Sequence, residues 1–382
     1  MVETLQAKVG SSTGRIAFLF KSGREDRKSG SFPTEFFYGF VQLQEAGYDV
    51  EIITDRELDL DTPPSRFWRV LSQLVYLTVG ITWWPLRRLA RRTVRDRLNS
   101  YDCLVVTTNT FGICLGVLRR LGLIRANVLF IAMGLIEPNT PERVIAIYRW
   151  LFRKNVVLRT LSEINASLLA SQFKIPVRHI PFGVDTSFWV PIEAGVGTPT
   201  ENYILSIGND SHRDYQTLLD AWKPNYPMLR IVTGQDIATT SPNVEIFRGD
   251  WHKQILTDEH IRTLMQRARF IILPIKNTIQ PSGQSVCLQA MACGKAVIIT
   301  DFPGLWNREL LRNGETCIIA GLPGIRPGIQ DAVEQLLADR LLTTAIGTNA
   351  RKIVESDLNV KKMAEAMAVD LDKLLAHKPA YC

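Results

Sequence analysis

The sequence predicts an α/β fold made of two parallel-sheet domains in series. Three observations carry this prediction. Short apolar runs of strand length alternate with amphipathic stretches of helix length along most of the 382 residues. The alternation breaks at PIEAGVGTPTEN (191–202), which holds two prolines, two glycines and no long apolar run. It then starts again and continues to a helical tail.

In order, RIAFLF (15–20) reads as the first strand. EFFYGFVQLQEAGYDVEIIT gives a helix from about Glu35 and a strand from about Asp49, with Gly47 suited to stop the helix. This βαβ unit seeds a parallel sheet. Strands follow at about 102–107, 127–134, 156–162 and 177–183, with helices from Phe111 to Leu121 and over about 140–153. In the second half, YILSIG (203–208), MLRIVTG, VEIF, FIILPI, KAVIITD and CIIAG read as strands. YQTLLDAW, HIRTLMQRA and the stretch around LQAMA read as helices, and the tail from Ile329 is helical. We therefore expect two Rossmann-like domains whose sheets face a cleft, with ligands at the carboxyl ends of the strands.

With 46% hydrophobic and 22% charged residues, the chain is globular and not disordered. The formal net charge of +7 favours anionic partners without naming one. Cys103, Cys114, Cys287, Cys293, Cys317 and Cys382 form no CxxC pair, and no metal-ligand spacing joins them to the five histidines. Buried free thiols in a reducing compartment are expected. MVETLQAKVGSSTGR lacks the apolar core of a signal peptide, so the expected location is cytoplasmic.

PSGQSVCLQAMACGKAVI (281–298) reads as loop, helix and strand. A small-residue loop feeding a helix N-terminus is how a backbone cradles phosphate. The amides of Gly283, Gln284, Ser285 and Val286 are the candidates, and the absence of acids from this loop suits an anion.

Four stretches together resemble a known family: GYDVEIIT, LSEINASLLASQFKIPVRHIPFGVDTSFWVP (161–191), YILSIGNDSHRDYQTLLDAW (203–222) and LQAMACGKAVIITD (288–301). The chain resembles a family-4-like glycosyltransferase of the two-domain GT-B fold. The resemblance implies an N-terminal acceptor domain (1–192), joined by a C-terminal helix from about 365 to 382 that crosses back. It implies a nucleotide-sugar donor domain over 200–364. It also implies catalysis without a bound metal or cofactor and, in the leading picture, retention of anomeric configuration.

By the same resemblance, Arg213 stands where the family has a phosphate-binding lysine, and it is the residue expected to stabilise the leaving diphosphate. Gly208 and Asn209 follow the strand beside it, with Asn209 in place of a second cation. Lys276 and Arg248, at strand ends, are candidates for that missing role. Two glutamates usually stand eight positions apart in the donor loop; here those positions are Pro281 and Gln289. Gln289 can still accept from a ribose hydroxyl through its amide oxygen. Ser282, Gln284 and Ser285 are polar neighbours for the donor sugar. Gly30 and Ser31 occupy the N-domain loop near the diphosphate. Asn109 and Glu137 are the acceptor-side candidates, without a confident general base.

Val70 to Leu86 holds no charge across 17 residues and is followed by RRLARRTVRDR, with six arginines. It is short and polar for a spanning helix. Shallow insertion into an anionic leaflet through residues 66–97 and a buried helix beside a basic one both remain open. No nucleic-acid motif is present. The expected activity is sugar transfer from a nucleoside-diphosphate sugar to a glycan, lipid-linked or glycolipid acceptor, at the inner face of a membrane. An inactive partner subunit and a nucleotide-sugar epimerase are the alternatives.

Overall fold

The computed structural model describes residues 14–23, 32–60, 65–79, 83, 85–153, 156–192, 201–248, 256–325 and 327–376. The expectations for Gly30, Ser31, Cys382 and most of the 191–202 break lie outside these residues. The described residues fall into two compact units: those of 1–29, 36–181 and 363–382, and those of 30–35 and 182–362.

In the first unit, β1 (Arg15–Phe20), β2 (Asp49–Thr54), β3 (Cys103–Val106), β4 (Asn127–Ala132), β5 (Val156–Thr160) and β6 (Arg178–His179) form one sheet. Its order is β2-β1-β3-β4-β5-β6, with every pair parallel. β3 and β4 are buried along their whole length, as strands covered by helices on both faces must be. The helix Asn109–Arg120 covers one of them closely: a Cβ on Gly112 would stand 2.5 Å from the ring of Phe130.

In the second unit, β7 (Tyr203–Ile207), β8 (Met228–Thr233), β9 (Val244–Arg248), β10 (Ile271–Leu273), β11 (Val297–Thr300) and β12 (Ile318–Ala320) form the other sheet. The order is β12-β11-β10-β7-β8-β9, again all parallel. From β7 the chain winds outward through β8 and β9, then returns to β10 on the other side. The β7/β10 boundary is therefore the topological switch point, where the two following loops diverge and leave a crevice.

Two local expectations differ from what forms. The helix from about Glu35 is instead a 3-10 turn over Thr34–Phe37, and the α-helix starts only at Phe40. Tyr38 and Gly39 between them have positive φ, and a Cβ on Gly39 would lie 3.2 Å from Ala364. The chain bends there to let a second helix pass. Residues 66–79 do form a helix, but none of residues 66–75 is buried, so a core helix is not what forms over that stretch. Among the described residues, no helix is long and apolar enough to cross a membrane.

The helix Val360–Ala376 ends in the first unit, tied there by polar bonds. Both oxygens of Asp370 take the Arg159 guanidinium at 2.6 Å, and Arg178 adds a third bond at 2.8 Å. The Tyr48 hydroxyl donates to Asp372 at 2.7 Å, and the Asn127 amide to the Leu374 carbonyl at 2.7 Å. Arg159 and Asp370 are both buried. Removing one partner strands the other, so Asp370→Ala should destabilise the protein by about 3–5 kcal/mol. Urea unfolding monitored in the first unit checks this; a change below about 1 kcal/mol would show that the helix is held by its apolar face alone.

Candidate active site

The loop leaving β7 begins with Gly208. Its carbonyl accepts from the hydroxyls of Tyr215 and Thr233, each at 2.7 Å, which fixes the turn from both sides. Asp214 then caps the Tyr215–Asp220 helix by accepting from the Thr217 amide at 3.3 Å. Backbone bonds lace this loop to the one leaving β10: Asp214 N donates to the Pro274 carbonyl at 2.9 Å and Lys276 N to the His212 carbonyl at 2.8 Å. Arg213 and Ile275 form an isolated bridge.

That lacing turns the Arg213 side chain back into the crevice at the switch point. The residue is 2% exposed. A Cβ on Gly208 would lie 1.8 Å from its Nε, and one on Gly283 would lie 2.5 Å from its Nη1. The guanidinium thus occupies the space that two side chains would fill. Its Nε and Nη1 have no hydrogen-bond partner among the described residues. Asp210 approaches Nε at 3.3 Å as an ion pair, but its carboxylate is also engaged by the Ser282 hydroxyl and, at 3.2 Å, by the His212 amide. A buried cation with two orphan nitrogens is a seat for an anion.

The second wall is the helix Gln284–Ala292. Its N-cap, Gly283, has φ +79, a conformation that favours glycine, and provides no side-chain cap. The first-turn amides of Ser285 and Val286 have no acceptor within the helix, and the helix dipole adds partial positive charge. Arg213 and this helix end therefore meet at one place, contributed by loops that lie far apart in sequence.

Deeper along the same helix, Gln289 is 5% exposed. Its Nε2 donates to Glu35 Oε1 at 3.0 Å. The indole of Trp189 donates to the same oxygen at 2.7 Å, and the Asp185 amide to Glu35 Oε2 at 3.1 Å. Asp185 in turn accepts from the Thr34 amide at 3.1 Å and hydroxyl at 2.8 Å. Burial pushes the Glu35 carboxyl up to about 7 from its ordinary 4.5, against the pull of these donors.

The structure thus brings together Gly208, Arg213, Ser282, Gly283, Gln284, Ser285 and Val286. Asn209 accepts from the Gly234 amide at 2.5 Å, bracing the neighbouring loop. Lys276 is exposed and donates to the Ser211 carbonyl at 3.0 Å. Arg248 ends the edge strand β9, two strands from β7, where it pairs with exposed Asp236 at 2.8 Å. In the first unit, Asn109 exchanges two bonds with the Met133 backbone, donating at 2.7 Å and accepting at 3.2 Å, while Glu137 is exposed. Among the described residues, no cluster of His, Cys, Asp or Glu is arranged to hold a metal ion. Sequence reasoning missed Glu35 and Asp210. Nothing in the apolar run EFF marks a buried carboxyl; an acid two residues after a strand glycine was the available signal for Asp210.

A cavity of about 490 Å³ opens elsewhere in the second unit, lined by Asn202, Arg269, Lys295 and Arg340. It lies at the amino ends of β7, β10 and β11, away from the crevice that this sheet topology provides for ligands.

Residues 202–339 match the family described as Glycosyl transferases group 1. Similar solved structures include sucrose-phosphate synthase from Thermosynechococcus elongatus, with 16% identity, TM-score 0.68, and coverage of 95% of this chain and 99% of that one. Anabaena HepE in complex with UDP and glucose aligns with 15% identity, TM-score 0.62, and coverage of 94% and 99%. WaaG, a glycosyltransferase involved in lipopolysaccharide biosynthesis, aligns with 12% identity, TM-score 0.59, and coverage of 93% and 99%. No curated protein sequence matches. The fold is GT-B, and the stretch 202–339 is a group 1 glycosyltransferase domain.

The raised Glu35 value has a pH consequence. Between about 4.5 and about 7 the folded chain keeps a proton that the unfolded chain has released, so stability falls as pH rises through that window. Glu35→Gln removes the titration. The stability of the wild-type protein relative to this variant should drop on the order of 3 kcal/mol from pH 4.5 to pH 7.5. Urea midpoints at several pH values measure it, and parallel pH profiles would show that Glu35 titrates normally.

Proposed function

We propose that this chain transfers a sugar from a nucleoside-diphosphate sugar to a glycan, lipid-linked or glycolipid acceptor, without a metal and with retention of configuration. The observation that carries the reading is the buried, half-unpartnered Arg213 facing the uncapped N-terminus of Gln284–Ala292. The donor diphosphate fits there: Arg213 and the first-turn amides take the charge that grows on the leaving group as the glycosidic bond breaks. The leaving phosphate oxygen, on the face the acceptor attacks, receives the acceptor's proton. Gln289 accepts from the ribose hydroxyls, and the second unit is the donor domain. The first unit is the acceptor domain, with Asn109 and Glu137 as its candidates.

Calorimetry with UDP, GDP and ADP, without and then with Mg²⁺, tests the donor site. One nucleotide should bind in the absence of metal, and Arg213→Ala should weaken it at least about tenfold, as expected for loss of a charge-assisted bond. Binding that requires Mg²⁺ would overturn metal independence. No binding to any of the three would favour the inactive-subunit reading.

The peripheral-membrane reading rests on one helix face. Phe67 (71% exposed), Val70 (56%) and Leu74 (53%) project together from Arg66–Val79 at helical spacing. Arg66 and Arg69 adjoin this stripe in sequence, and Arg87 stacks over Trp68 at 5.3 Å. An apolar stripe among arginines suits the inner, anionic face of a membrane. The protein should sediment with phosphatidylglycerol vesicles and not with phosphatidylcholine ones, and Phe67→Ser with Leu74→Ser should reduce this roughly tenfold. Equal binding by the double variant would remove this face from the proposal.

A further inference from the structure

Glu35 has no part in the chemistry proposed above, yet it is fully buried and engaged on both oxygens. All three of its partners are donors: the Gln289 amide nitrogen, the Trp189 indole and the Asp185 backbone. The end of Gln289 that meets Glu35 is the nitrogen, donating at 3.0 Å, the pairing that an ionised carboxylate, which can only accept, requires. The other end of that amide is then decided as well. Gln289 Oε1 has no hydrogen-bond partner among the described residues, and it is not sealed in the core.

We infer that Glu35 is a positioning residue that pins the Gln289 amide with its nitrogen inward, so that its oxygen is offered as a fixed acceptor to the vicinal hydroxyls of the donor's ribose. This rests on the donor-site reading above and assigns the orientation on which its ribose contact depends. Two features of the geometry support it. Trp189 and Gln289 converge on the same Glu35 oxygen, at 2.7 and 3.0 Å. Without that oxygen, the buried indole N–H and the Gln289 amide lose their shared acceptor, and nothing holds the amide nitrogen inward. In addition, Glu35 is held in place from behind, because the Thr34 amide and hydroxyl grip Asp185, whose own amide grips Glu35.

The test compares two probes: whichever of UDP, GDP and ADP binds, and its 2′,3′-dideoxy form. In the wild-type protein, losing the hydroxyls should weaken binding about three- to tenfold, the worth of neutral hydrogen bonds to one acceptor. In Glu35→Met that ratio should fall to about one, while the diphosphate still binds through Arg213. In a Gln289→Ala background, Glu35→Met should leave the ratio unchanged, because the acceptor it positions is already gone. If Glu35→Met does not fold, Glu35→Gln serves: its amide cannot satisfy the Asp185 donor and the two converging donors together, and the ratio should shrink. A role confined to stability would lower the unfolding midpoint and leave the ratio intact. That outcome, with Arg213-dependent binding preserved, overturns the inference alone. Failure of all three nucleotides to bind overturns the donor-site reading, and this inference with it.

Discussion

The second unit is organised around the burial of one cation. An arginine withdrawn from water demands compensation, and Arg213 finds little of it among the described residues: one carboxylate facing Nε at 3.3 Å, and no hydrogen bond to Nε or Nη1. The rest of the crevice follows from accommodating it. Two glycines border the guanidinium because no other residue leaves the volume; added β-carbons would sit 1.8 and 2.5 Å from its nitrogens. Asp210 turns Oδ2 toward Nε at 3.3 Å, while its Oδ1 takes the Ser282 hydroxyl and the His212 amide. The uncapped helix start beside it favours the same sign of ligand, an anion.

That arrangement depends on topology more than on any local sequence. Parallel strands put every carboxyl end on one side of a sheet, and only the β7/β10 boundary separates two diverging loops. Arg213 and Gly283 come from those two loops. Backbone bonds between 214 and 274, and between 276 and 212, set the distance across the crevice before any side chain is considered. A substitution in either loop therefore acts through the spacing as well as through its own side chain.

Most of the strands were legible because they are short apolar runs, the exposed two-residue β6 (Arg178–His179) excepted, and the helices Gln284–Ala292 and Asn109–Arg120 because they are rich in small and apolar residues. Arg213 and the glycine turn were found through likeness to other sequences, since nothing in NDSHRD distinguishes a buried arginine from a solvated one. Glu35 was read as a residue at a helix start. Its burial depends on Trp189 and Gln289, 154 and 254 positions away, and no periodicity reports partners at that separation. Arg248 was grouped with the anion site because it ends a strand; which strand lies at the sheet edge is decided by pairing order, and pairing order is not written in a single strand.

The pairing of Gln289 with Glu35 also explains how an acid-free loop keeps a directed acceptor. Two unit negative charges about 8 Å apart, at an effective dielectric of about 20, repel by about 2 kcal/mol. On the donor-site reading, a carboxylate at position 289 would face the diphosphate with a penalty of that order. An amide oxygen there offers a hydrogen bond without net charge, but an amide alone can present either end. Placing the carboxyl behind it settles which end faces outward. Three donors share whatever charge the carboxyl carries, and burial lifts its titration to about 7, so a proton is available to it near neutrality. Under the proposed orientation the hydrogen bond keeps its direction, and most of the repulsion a carboxylate would bring is moved one layer away from the donor's phosphates.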